Sequence, residues 1–147
     1  MNCPRDHAEL KTEQEHGIAV DRCHTCNGAW FDYGELAELE SGAANEEQRR
    51  GTMEYAARPS ELPCPQCGQP MHAFNYRAYN LELDACSQEH GFWLDAGESE
   101  RVREIMRERA AGLERSRSAE TRWNRDREAG FAPDSVVGRM RDLFRRR

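Results

Sequence analysis

Eight side chains of this 147-residue chain fall into two sets whose types and spacing suit metal coordination. The first set is Cys3-x3-His7 followed, fifteen residues on, by Cys23-x2-Cys26. The second is Cys64-x2-Cys67 followed, eighteen residues on, by Cys86-x3-His90. Two cysteines three apart on a tight turn aim both sulfurs to one side. Two such turns face to face enclose a tetrahedron of donors, the geometry zinc takes with thiolate and imidazole. Two zinc ions per chain are therefore expected, one on Cys3, His7, Cys23 and Cys26, the other on Cys64, Cys67, Cys86 and His90. An acid precedes each histidine: Asp6 aligns with Cys67 of the other set, and Glu89 with Cys26. Asp6 and Glu89 are thus alternative ligands, although imidazole is the commoner partner of three thiolates and favours His7 and His90.

Four protein donors close a coordination sphere, whereas a catalytic zinc keeps a position for water or substrate. All six cysteines are committed, and His16, His24 and His72 have no serine or carboxylate partner in a recognisable motif. The expectation is a non-enzymatic protein with structural metal, no catalytic residue and no small-molecule substrate.

The elements that must position these ligands also come twice. From Ile18 to Asp32 the halves match at an offset of 63, with Cys23 on Cys86, Trp30 on Trp93 and Asp32 on Asp95. From Cys3 to Leu10 the offset is 61, so the second hairpin is two residues longer. Leu10–Glu15 and Ile18–Arg22 read as strands around His16-Gly17, and Met71–Leu83 as the longer hairpin. Asp32 and Glu35 form a capping box that starts a short helix carrying Leu36 and Leu39; Asp95 and Glu98 repeat it. Trp30 and Trp93 are expected to cover the small sheets. Residues 42–62 read as a polar linker, with a turn or two of helix within 46–57 as the alternative. Val102, Ile105, Met106, Ala110 and Leu113 give a long helix one apolar face, which fades across the Arg/Glu-rich stretch 114–128. After Gly130 and Pro133, a short basic amphipathic helix is expected, with Val136, Met140 and Phe144 on one side and Arg139 and Arg141 on the other.

The runs C-P at 3–4, D-R-C-x-x-C at 21–26, G-x-W-F-D at 28–32 and G-E-L at 34–36 resemble the TFIIB-type zinc-ribbon (transcription factor zinc-finger) family of small bacterial proteins. C-P-x-C-G at 64–68 and G-F-W-L-D-A-G-E at 91–98 are similar to it again. The resemblance implies, for each copy, a three-stranded antiparallel sheet clamped by two zinc knuckles. Asp6-His7 and Glu89-His90 depart from it where the family's usual cysteine is missing. The fold class expected is a small zinc-stabilised α+β protein with two tandem ribbons, each followed by a helix. The expected parts are ribbon one over 1–41, the linker 42–62, ribbon two over 63–98, a long helix over 99–129 and a basic helix over 130–147.

Charge and composition limit the function. Apolar residues are 37% and charged residues 33% of the chain, too little apolar matter for one large core, so metal must substitute for it. Residues 1–98 carry a net charge of −11 and residues 99–147 a net of +5. No secretory signal or membrane-length apolar run is seen, and paired cysteines without one suit a reducing, cytoplasmic setting. A shared fold does not fix function. Three readings follow: a protein-interaction adaptor using the ribbons and the C-terminal amphipathic helix; nucleic-acid binding through Phe74, Tyr76, Tyr79 and the Arg-rich tail; and a thiol and zinc redox switch. The adaptor, with another protein as partner, is the favoured one.

Overall fold

The computed structural model describes residues 1–43 and 54–130. Seven strands, β1 (Lys11–Glu15), β2 (Ile18–Arg22), β3 (Ala29–Phe31), β4 (Glu54–Pro63), β5 (Pro70–Tyr76), β6 (Glu82–Ala85) and β7 (Phe92–Leu94), join in one sheet of order β1-β2-β3-β7-β6-β5-β4. Two helices complete the described residues, α1 (Tyr33–Ser41) and α2 (Glu98–Gly130).

The hairpins follow from their turn residues. His16 and Gly17 both take positive φ (54° and 89°), the requirement of a two-residue turn between right-twisted strands. In the second copy four residues, 77–80, bridge Tyr76 and Leu81, whose backbone bond is 2.8 Å; that is two more than His16-Gly17, as the shifted offset demands. Ile18 and Val20 face inward while Ala19 stays exposed, the alternation of a half-buried strand.

The joint between the copies is the antiparallel pair β3–β7. Trp30 lies opposite Trp93, with Ala29 against Leu94 and Phe31 against Phe92. Because Trp93 is the repeat equivalent of Trp30, the pairing is self-complementary, like a two-fold dimer interface built within one chain. Alternation sends the two tryptophans to one face and Phe31, Phe92 and Leu94 to the other. The second face is covered by Leu36 and Leu39 of α1 and by Val102 and Ile105 of α2. Each helix also reaches across to the other copy's hairpin. Ser99 and Glu100 of α2 bond Glu15 and His16, and Glu40 of α1 bonds Arg77.

Close approach at the joint explains two glycines. A Cβ on Gly28 would lie 2.4 Å from the Trp93 ring, and one on its repeat equivalent Gly91 would lie 2.3 Å from the Phe31 carbonyl oxygen and 3.0 Å from the Trp30 ring. Each glycine admits the other copy's tryptophan. Either alanine substitution is expected to cost about 3 kcal/mol, the upper end of ordinary overpacking, because Gly91 meets backbone and Gly28 a fully buried ring. Denaturant titration of Gly28→Ala and Gly91→Ala reads this as a lowered midpoint.

The arrangement corrects several expectations. Residues 54–62 are not linker: they belong to β4, an edge strand on β5 broken by register shifts between Tyr55 and Arg58 and between Pro59 and Pro63. Residues 44–53 lie outside the described residues. The ribbons are not separate domains on a tether, because Met1–Glu108 forms one unit and Arg109–Arg147 a second. Asp95 completes only half a capping box. Its amide donates to Glu98 at 2.7 Å, but its carboxylate takes Trp93 Nε1 at 3.0 Å and the Arg5 guanidinium of the first ribbon. Asp32 and Glu35 make both bonds of theirs.

On α2, Val102, Ile105 and Met106 are fully buried, whereas Leu113 is 41% exposed and so falls outside the apolar face assigned to it. The basic helix expected over 130–147, with Val136, Arg139, Met140, Arg141 and Phe144, lies beyond the described residues.

Glu98 carries a pH dependence. Burial, reinforced by Asp95 and Asp84, pushes its carboxyl from 4.5 up to about 7 despite the Asp95 amide. Stability from the neutral form is fully present below pH 4.5 and lost as pH rises through about 7. Glu98→Gln keeps the capping acceptor and removes the charge. At pH 8 it is expected to be about 1–2 kcal/mol more stable than the native chain, a margin that closes toward pH 5 in thermal melts.

Candidate metal centres

Four knuckle turns build the two centres, and all four close the same way. The amides of Cys3, Cys23, Cys64 and Cys86 donate to the carbonyls of Ala8, Gly28, Gln69 and Gly91, five residues ahead, at 2.8–2.9 Å. In the first three turns the residue four places after the leading cysteine donates back to it and adopts positive φ: His7 (62°), Asn27 (60°) and Gly68 (71°). That conformation turns the preceding side chain, Asp6, Cys26 or Cys67, into the centre. The fourth turn is built one residue tighter: Glu89 takes the positive φ (58°) and bonds Cys86 at 3.0 Å, which brings His90 inward instead.

The result is two four-donor groups, Cys3, Asp6, Cys23, Cys26 and Cys64, Cys67, Cys86, His90, with the donor atoms of each within 4.8 Å of one another. A tetrahedral zinc with bonds near 2.3 Å spaces its sulfurs about 3.8 Å apart. Cys3 and Cys26 stand 3.6 Å apart, and Cys67 and Cys86 3.7 Å. His90 Nδ1 is 3.5 Å from Cys86 and 3.9 Å from Cys64, and the Asp6 oxygens are 3.4 and 3.5 Å from Cys23. Both groups fit zinc.

The first group differs from the sequence expectation. His7 is not in it; Asp6 occupies the fourth corner. His7 holds the left-handed turn position, a conformation that histidine, like asparagine, tolerates better than most residues. Glu89 likewise holds a left-handed position and stands outside the second group. One signal was available: Asp6 falls at the register of Cys67, and ligand register in a knuckle is set by the turn rather than by side-chain reach.

Around the sulfurs, the amides of Arg5, Gln66 and Gln88 point at Cys3, Cys64 and Cys86 at 3.4 Å each, bonds that favour thiolate. Burial opposes them, pushing Cys3 up to about 12 and Cys64 up to about 11. A bound cation reverses that balance, so thiolate formation and metal binding are one event. Cys3, Cys23, Cys64 and Cys86 pack with Trp30, Trp93, Leu10 and Met71 in one cluster, which makes both centres part of the core on the tryptophan face.

The remaining assignments resolve by burial. Phe74 and Tyr76 are 1% and 0% exposed and belong to the core, so neither is available to stack on bases, while Tyr79 is partly buried against it. His16, His24 and His72 each pair with a carboxylate, at Glu100 (3.2 Å), Glu13 (3.0 Å) and Glu54 (2.7 Å), and His72 also meets Ser87 at 3.3 Å. These partners come from other strands and from α2, and no local motif announces them. No described helix is long and apolar enough to cross a membrane.

A family model described as transcription factor zinc-finger matches residues 2–42 and 63–104, the two repeats in turn. No curated protein and no solved structure matches the chain.

Proposed function

The chain belongs to the transcription factor zinc-finger family, and from that premise we propose that it is a non-enzymatic, cytoplasmic adaptor whose zinc centres hold a scaffold for contact with another protein. The observation that carries this reading is on α2. Trp123 is 65% exposed and shares one face of α2 with Ala111, Ser118 and Ala119, among the charged Arg115, Arg122 and Asp126. A solvated helix has no use for an exposed indole, and tryptophan is the residue type most enriched at the energetic centres of protein interfaces. All six cysteines belong to the two zinc-shaped groups and none is in a disulfide, which suits a reducing compartment.

A photo-crosslinking residue at position 123 tests the reading. The expected outcome is one discrete protein adduct, competed away by unlabelled native chain but not by Trp123→Ala. A crosslinker at the exposed Lys11 of β1 serves as the control. Adducts that are equal at both positions, or indifferent to competitor, would contradict it.

The second reading, nucleic-acid binding, keeps two supporting features, the transcription factor zinc-finger match and the net +5 of residues 99–147. Against it stand the net −11 of residues 1–98 and the burial of Phe74 and Tyr76. Anisotropy of single-stranded DNA, duplex DNA and RNA across a salt series separates the two. The adaptor reading expects no binding at physiological salt, and a steep log–log salt slope would favour the nucleic acid.

A further inference from the structure

The two centres differ in one donor, and that donor differs in nearly everything that governs exchange. His90 is a neutral imidazole on a half-buried knuckle, whereas Asp6 is a carboxylate on an exposed residue. Hard oxygen is the poorer match to a zinc already held by three soft thiolates. Three thiolates and a carboxylate leave a divalent ion at net −2, against −1 with imidazole. Asp6 is also within reach of water: the residue is exposed, although its Oδ1 accepts the Ala8 amide at 3.0 Å. His7, next along, is exposed and is not among the donors of the first centre.

We propose that the first ribbon carries the exchangeable metal centre, with Asp6 as a releasable fourth donor whose departure admits a small thiol. This rests on the reading of both groups as zinc centres. The step is a ligand substitution: the bond from the Asp6 oxygen to the metal breaks, a sulfur–metal bond forms, and the thiol proton passes to solvent, with no change of oxidation state. Cys3, Cys23 and Cys26 hold the ion throughout. The second centre keeps its four protein donors, Cys64, Cys67, Cys86 and His90, throughout.

The full chain loaded with two ¹¹³Cd ions tests this by NMR, with β-mercaptoethanol as the thiol. Two resonances are expected, one for three sulfurs and an oxygen and one for three sulfurs and a nitrogen. Added thiol should move only the first, toward the four-sulfur position. Asp6→Cys should start at that position and ignore thiol, while His7→Ala should behave as the native chain. On zinc-loaded protein, a chromophoric chelator should take one ion about tenfold faster than the other, and Asp6→Cys should slow that fast phase. Release at a single rate, a thiol shift at the nitrogen-bearing centre, or a fast phase altered by His7→Ala would overturn the proposal. Loading of fewer than two ions would instead overturn the two-centre reading on which it rests.

Discussion

Stripping both zinc ions from the protein is expected to unfold residues 1–108 in a single transition. Structural zinc in domains of this size contributes about 10 kcal/mol or more per ion, comparable to the whole stability of a small domain. The core shows why the loss cannot be absorbed locally. Four of the six cysteines are packed with both tryptophans, so removing the ions leaves buried thiols facing one another beneath the β3–β7 joint. Neither repeat has a second layer of its own, because α1 and α2 cover a sheet that both repeats build. Chelator titration followed by tryptophan fluorescence and near-UV circular dichroism should give coincident curves, reversed by added zinc. Native signal retained with less than one ion bound would contradict the assignment.

Glu40→Ala is expected to cost about 3–5 kcal/mol, the largest loss from any single substitution outside the metal centres. Glu40 and Arg77 are 2% and 5% exposed, and their closest atoms are 3.1 Å apart. The guanidinium also donates from Nε to Glu40 at 3.3 Å and to the Tyr76 hydroxyl at 3.1 Å, and that hydroxyl donates to the same carboxylate. Burial and the Glu40 charge hold the Tyr76 phenol far above its ordinary range, so it stays a donor at any physiological pH. Truncating Glu40 takes from a desolvated guanidinium a carboxylate that accepts two of its bonds, and it unties α1 of one ribbon from the hairpin of the other. Arg77→Met should be similarly damaging alone, while the double variant should recover much of the loss, since a buried pair removed whole costs far less than a pair broken. Equilibrium unfolding of the four forms checks the coupling; additive losses would contradict it.

Much of this was legible in the residues. The repeat, its two offsets, both hairpins, the first capping box and the covering tryptophans follow from local pattern, and the four-residue turn at 77–80 is the offset change made visible. What was not legible depends on pairings between distant segments. Nothing local in Trp30-Phe31 says that its partner strand is Phe92–Leu94 rather than solvent or a second molecule. Strand β4 is so exposed that its composition matches a linker, and only β5 makes it a strand. Asp6, read from the sequence as the alternative to His7, stands in the first group for a different reason. Donor chemistry favoured imidazole, but backbone conformation decides which side chain enters a knuckle, and the left-handed residue is His7 in the first centre and Glu89 in the second. Arg77 reads as a solvated hairpin residue until Glu40 is placed beside it.

The account depends most on the claim that two zinc-held ribbons share one cooperative sheet. Amide hydrogen exchange of Cys86→Ser, which disables only the second centre, tests that claim most directly. The predicted result is loss of protection in both ribbons together, with Ile18–Arg22 of β2 exchanging as fast as Pro70–Tyr76 of β5. Native protection persisting over Ile18–Arg22 while the second ribbon exchanges freely would contradict it.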